Sequence, residues 1–337
     1  MKSKFLVVLF VLSILLFANG VVFGASLQLT IVPQKPIYNL GETIAIEGNL
    51  TLDGTKVSDG LVAVQINNPR NETAAIRTLS TGAEPPKPWV IEILEFIAVD
   101  AAGNPKSSFA VNENMGFKAT IRNNALSSYP VLVPVYAQYS NGVPFTVFII
   151  YSGSLSPGQS KEVSTWPISI PYNAPLGIAS AYASALTDLP KANGYAYCPE
   201  NKTTFMITST LGATSLINER SFASVMSNSD FNMTLSISSR GGMLGNYTVN
   251  ATSRYSYWLV TNSTMFTSVL ITDITGRFNV SDGKVDIMDL ALTSSCFGSY
   301  PGHPKWDPRA DIYKDGKVDI QDLSRVSADY GKYGTLP

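Results

Sequence analysis

Asp282-Gly283-Lys284-Val285-Asp286-Ile287-Met288-Asp289-Leu290 recurs 33 residues later as Asp315-Gly316-Lys317-Val318-Asp319-Ile320-Gln321-Asp322-Leu323, with Met288 against Gln321 as the single difference. An internal repeat at a fixed period implies two copies of one structural unit. Both copies place carboxylates at alternating positions around a glycine. That is the pattern of a calcium loop, which takes oxygens from positions 1, 3, 5, 7, 9 and 12 and needs Gly at 6 for a sharp turn. A hard cation requires such clustering, because carboxylates packed this closely otherwise repel one another.

With Asp311 at position 1, the second copy puts Asp315 at 5, Gly316 at 6, the Lys317 carbonyl at 7, Asp319 at 9 and Asp322 at 12. Tyr313 falls at position 3, where a phenol is a poor ligand. In the first copy Asp282, Gly283, Lys284, Asp286 and Asp289 keep register, but counting back from Asp289 reaches Phe278, which cannot ligate. The entry to this loop is read as enlarged, with Asp273 as position 1, Thr275 nearby and five residues looped out. Two calcium sites are therefore expected. Val318, at position 8, is expected in a core between the two loops.

Each loop runs into apolar positions spaced i, i+3, i+7. These are Leu290, Thr293 and Phe297 before Gly298, then Leu323, Val326 and Tyr330 before Gly331. The spacing predicts one helix after each loop, ended by glycine. Two calcium loop–helix repeats of this form resemble the dockerin family, of the type I repeat. The connector Phe297-Gly-Ser-Tyr-Pro-Gly-His-Pro-Lys-Trp-Asp-Pro308 is similar to that of dockerin-like modules in secreted archaeal surface proteins. The resemblance implies calcium binding by 272–337 and docking to a cohesin-like or other surface protein. Positions 10 and 11 are Ile287-Met288 and Ile320-Gln321, not the Ser-Thr pair of well-known bacterial dockerins, so a standard cohesin is not implied.

The chain has 337 residues, a net charge of −1 and 15% charged residues. Nothing in it is basic enough for nucleic acid or an anionic membrane. Lys2 and Lys4 precede an apolar run from Phe5 to Phe17, and Gly20, Gly24 and Ala25 follow. This predicts a signal peptide over 1–25, cleaved near its end, and a protein that is secreted or on the cell surface with no stable membrane insertion. Asn-x-Ser/Thr sequons, including those at Asn246, Asn250 and Asn262, suit an exported chain. Cys198 and Cys296 are too few for a disulfide scaffold, and Cys296 is expected to be exposed.

The remainder reads as β-structure. Residues 26–82 alternate apolar and polar between turn signals, as in Leu27, Leu29, Ile31 and then Ile44, Ile46, Leu50. The stretch Lys35-Pro-Ile-Tyr-Asn-Leu-Gly-Glu-Thr-Ile resembles the opening of macroglobulin-type immunoglobulin-like modules. This segment is half a sandwich in length. Its missing strands are read at Phe231–Ser239, Gly245–Ser253 and Ser263–Leu270, so 26–82 plus 212–271 is expected to form one discontinuous domain. Residues 89–208 are expected as an inserted second, adhesion-type sandwich of seven strands. The expected fold class is mainly β: two immunoglobulin-like sandwiches, then a small helical dockerin-like module.

No enzyme is expected. His303 is the single histidine, and no phosphate loop or zinc cluster is readable. Glu92, Glu95 and Asp100 are read as solvent-facing strand residues, and Trp89, Trp166, Tyr255, Tyr257 and Trp258 chiefly as core. The expected function is a calcium-binding modular protein whose sandwiches act as a spacer or ligand-presenting stalk. The alternative is a carbohydrate-binding accessory component of an extracellular polysaccharide-degrading assembly.

Overall fold

A computed structural model describes residues 26–209, 230–276 and 281–337. Residues 1–25, where a signal peptide is expected, residues 210–229 and residues 277–280, with Phe278 and Asn279, lie outside the described residues. The protein is mainly β, with two short α-helices near the C-terminus.

The chain leaves its first sheets at Ser80 and rejoins them at Phe231. Phe231–Ser236 pairs antiparallel with Thr43–Leu52, which also pairs with Leu27–Pro33. Gly48 lies where these strands meet. A Cβ there would fall 2.1 Å from the Thr30 carbonyl and 2.3 Å from the Phe231 ring, so only glycine fits. A second sheet runs Ile37–Asn39, Trp258–Val269, Gly245–Tyr255, Leu61–Asn67, Thr73–Ser80. Leu29, Ile44, Ile46, Val64, Met233, Val249 and Phe266 belong to one buried cluster between them. Burial of this apolar area, at about 25 cal/mol per Å2, is the main force holding these strands together.

Leu61–Asn67 is buried at every residue. Its second face is covered by the segment around Pro190–Gly194. The Lys191 N–H donates to Gln65 Oε1 at 3.1 Å, and the Thr252 hydroxyl donates to the Gly194 carbonyl. A strand covered on both faces loses its polar alternation.

Residues 91–208 form two further sheets. One is built on Asn114–Asn123 with Ile91–Asp100, Ser160–Ser164 and Ile168–Ser169. The other runs Pro144–Leu155, Tyr129–Gln138, Gly177–Ala183, Asn201–Thr208, Ser108–Ala110. Phe96, Phe109, Phe117 and Phe205 pack in their common core. The back of this second sheet meets Thr73–Ser80. There Arg77 binds Glu200 through Nε at 2.8 Å and lies 3.5 Å over the Tyr182 ring.

Several aromatics correct the reading made from composition. Trp166 is 90% exposed, Tyr257 94% and Trp258 43%. Tyr257 and Trp258 sit at the tip of the 245–269 hairpin, where no facing sheet reaches them. Strand alternation cannot show where a hairpin outruns its partner layer.

Candidate functional site

The C-terminal segment is organised by its 33-residue repeat down to single hydrogen bonds. Helix α1 spans Ile287–Ser295 and helix α2 spans Ile320–Asp329. Each opens with a capping box: Asp286 with Asp289 in the first, Asp319 with Asp322 in the second. An N-cap carboxylate satisfies orphan N–H groups and faces the positive end of the helix dipole.

Loop position 1 is the same in both copies. Asp273 accepts from the Asp282 N–H at 3.1 Å and the Gly283 N–H at 2.7 Å. Asp311 accepts from the Asp315 N–H at 3.1 Å and the Gly316 N–H at 3.0 Å. Position 12 matches too. Asp289 accepts from the N–H groups of Ile274, Thr275 and Asp286 and from the Thr275 hydroxyl. Asp322 accepts from the N–H groups of Ile312, Tyr313 and Asp319. Gly283 and Gly316 turn the loops at φ 87° and 85°, a conformation that favours glycine. The enlarged first loop therefore closes on the same contacts as the second.

The remaining sequence-predicted ligands stand at the rim. Lys284 bridges Asp286 at 2.6 Å and Asp282 at 3.5 Å, and Lys317 bridges Asp319 at 2.8 Å and Asp315 at 3.8 Å. Among the described residues no group of three or more acidic, His or Cys side chains converges on a metal-sized point. Within each loop the inner carboxylates face backbone N–H groups and the outer ones face lysine. The donor set nevertheless fits a hard cation: Asp273, Asp289, Asp311 and Asp322 are all buried oxygen donors. Tyr313 is 55% exposed and supplies its backbone N–H, not its phenol, to the loop.

Burial pushes the Asp273 carboxyl up to about 6, with the charges of Asp289 and Asp282 adding to the effect and the two N–H donors opposing it. Its folded value lies above the ordinary 3.8, so its contribution to stability is complete below about 4 and is lost as pH rises through about 6. Metal-free protein should lose stability over that window. Urea midpoints between pH 4 and 7, compared with those of Asp273→Asn, check this.

The two repeats hold each other. Val285 exchanges backbone hydrogen bonds with Gly331 and Lys332, after α2, and Val318 does the same with Gly298 and Ser299, after α1. Both valines are buried, in different clusters. Val285 joins the large cluster under the first sheets, whereas Val318 packs with Cys296 and Ala310. Cys296 is likewise buried, not exposed, and both cysteines are free thiols. The helices end at Ser295 and Asp329, so Phe297 and Tyr330 fall outside them and are half exposed. The inward positions are Cys296 and its counterpart Asp329.

Asp329 is the residue that sequence reasoning missed. It is 2% exposed and joins the helical segment to the β-strands. Its Oδ2 accepts from Asn39 Nδ2 and the Thr272 hydroxyl, both at 2.9 Å, and its Oδ1 lies 2.6 Å from Lys332 Nζ. Lys332 also donates to the Leu40 carbonyl at 3.3 Å, and Arg325 lies 3.4 Å from Asp329 and 3.9 Å from Glu42. The chain end, Tyr333–Thr335, adds a parallel strand to Arg240–Met243. The available signal was the repeat itself, because a carboxylate replaces Cys296 at an equivalent inward position.

No known family profile matches the chain, and no curated protein does. Solved structures with similar parts include the Pseudomonas fluorescens alkylpurine DNA glycosylase AlkC (TM-score 0.27, 13% identity, 35% of this chain and 30% of that one). Others are the C-terminal domain of Wzt (TM-score 0.30, 10% identity, 40% and 83%) and a β-glucosidase from Erythrobacter marinus (TM-score 0.25, 10% identity, 35% and 15%). The expectation that the chain is not an enzyme is corrected, since these neighbours include enzymes. Likenesses at this level assign no activity.

Proposed function

We propose that residues 272–337 are a dockerin-like calcium-binding module of a secreted or cell-surface protein. Each loop takes one calcium ion, with the Asp at position 1 and the Asp at position 12 as inner ligands. Asp282, Asp286, Asp315 and Asp319 complete the sets, together with Thr275 and the carbonyls of Lys284 and Lys317. The two pairs of sheets form immunoglobulin-like sandwiches, one discontinuous over 26–82 and 212–271 and the other inserted over 89–208. They act as a spacer or stalk for a module that docks to a cohesin-like or other surface partner.

The supporting observation is the repeated inner contact set: Asp273 with Asp289 and Asp311 with Asp322 bind equivalent backbone groups in loops of unequal length. Calcium favours the ionised Asp273 and should abolish the fall in stability between pH 4 and 6. Terbium, a calcium mimic, tests the second loop. Tyrosine-sensitised terbium emission should appear, fall strongly in Tyr313→Phe, vanish in Asp311→Asn and be displaced by calcium. Unsensitised emission that calcium does not displace counts against the reading.

A further inference from the structure

A cleft of about 560 Å3 opens where three distant parts of the chain meet. It is lined by the 139–143 turn, the 171–175 loop, the 238–240 turn, and Gly331 and Tyr333 beyond α2. The size is that of a small-ligand site.

Its lining is rich in donors and holds no carboxylate. Arg240 is its only charged side chain and is exposed. Among the described residues its guanidinium has no hydrogen-bond or ion-pair partner, although its backbone is held in the ladder to Tyr333. Tyr172 is 78% exposed and Tyr333 47% exposed. The Tyr333 ring packs beside Gly241, 3.5 Å from where a Cβ would be, an ordinary van der Waals distance. Among the described residues Asn173 and the amide nitrogen of Asn141 also have no hydrogen-bond partner, while the Asn141 oxygen accepts from the Val143 N–H at 3.1 Å.

We propose that this cleft binds a saccharide carrying an acid group. A guanidinium fork recognises a carboxylate or sulfate in two-point fashion. Phenol rings offer an apolar face to the C–H side of a sugar and a hydroxyl to its rim. The amides of Asn141 and Asn173 suit the many acceptors of a sugar ring. An acidic peptide would also meet Arg240, but exposed phenol rings beside unspent amides suit the face and rim of a sugar ring, and the peptide is an outcome of the test. None of the lining residues is a loop ligand, so this inference stands or falls apart from calcium binding.

The test is calorimetric titration of the intact protein, in calcium and in chelator. The probes are trigalacturonate, its methyl ester, a sulfated disaccharide, neutral maltotriose and an Asp/Glu hexapeptide. The proposal expects at least one acidic sugar to bind, with the ester or maltotriose weaker by about tenfold or more, a difference of ~1.4 kcal/mol. Arg240→Gln should cause a similar loss and Tyr172→Ala should remove binding. Both residues are exposed, so both variants should melt like the parent. The proposal is overturned if no acidic sugar binds at millimolar concentration, if the neutral sugars or the peptide bind as well, or if Arg240→Gln changes nothing.

Discussion

Asp329→Ala should detach the C-terminal segment from the β-strands and cost about 3–5 kcal/mol, the usual effect of removing one partner of a buried charge pair. The carboxylate is 3% exposed and meets Lys332, Arg325, Asn39 and Thr272 together. Its loss leaves the Lys332 ammonium and the Asn39 amide without their buried acceptor. Asp329→Asn keeps an oxygen for Thr272 but loses the charge, and should fall between parent and alanine. Hydrogen exchange locates the effect: the Val285 and Gly331 amides should lose protection while the core of 114–123 keeps it. A cost below about 1 kcal/mol would place the joint elsewhere.

The second large effect is at position 12 of the loops. Asp289→Ala and Asp322→Ala each break a capping box at its third helical residue and strand three backbone N–H groups, at about 2–4 kcal/mol apiece. They should not behave alike. Asp289 holds Ile274 and Thr275, which are separated only by Asp273 from Thr272, the donor to Asp329. Its loss should therefore loosen the joint as well as the first loop, whereas Asp322→Ala acts on the second loop and the start of α2. Each should also remove one calcium ion from the titration. Thermal melts in calcium and in chelator, with exchange at Leu40 as the reporter of the joint, separate the two. Equal effects on Leu40 would show that the first loop carries no special link.

Much of the fold was legible because burial on one face leaves a period in the sequence. Leu27, Leu29 and Ile31 alternate and are buried as read, Met115, Phe117, Ala119 and Ile121 do the same in the strand at 114–123, and the strand at 129–138 lies where Val and Tyr concentrate. A strand starting at Phe231 was readable from its own alternation, but its pairing with Thr43–Leu52 was not. Ser108–Ala110 was not, since three residues carry no period, and its partner lies about a hundred residues away at Met206–Thr208.

At the site, the repeat revealed the loops, their glycines and the helix starts, because cap and loop chemistry is local in sequence. The joint was not legible. Asn39, Thr272 and Asp329 are far apart in the chain, and each looks like an ordinary polar residue until the fold brings them together. Phe297 and Tyr330 misled for a simpler reason: the apolar spacing outlasts the helices by one or two residues.

The central claim is that the two loops bind calcium. The most direct measurement is calorimetric calcium titration of the intact chain, followed by circular dichroism and hydrogen exchange at α1 and α2. The intact chain is required because Asp329 and Val285 pack against the β-strands. The account predicts two ions per chain, bound at or below millimolar concentration, proton release on binding near pH 6, and slower exchange in both helices. No heat of binding and no change in protection at millimolar calcium would contradict it. The repeat would then be a lysine-braced pair of helix caps and nothing more.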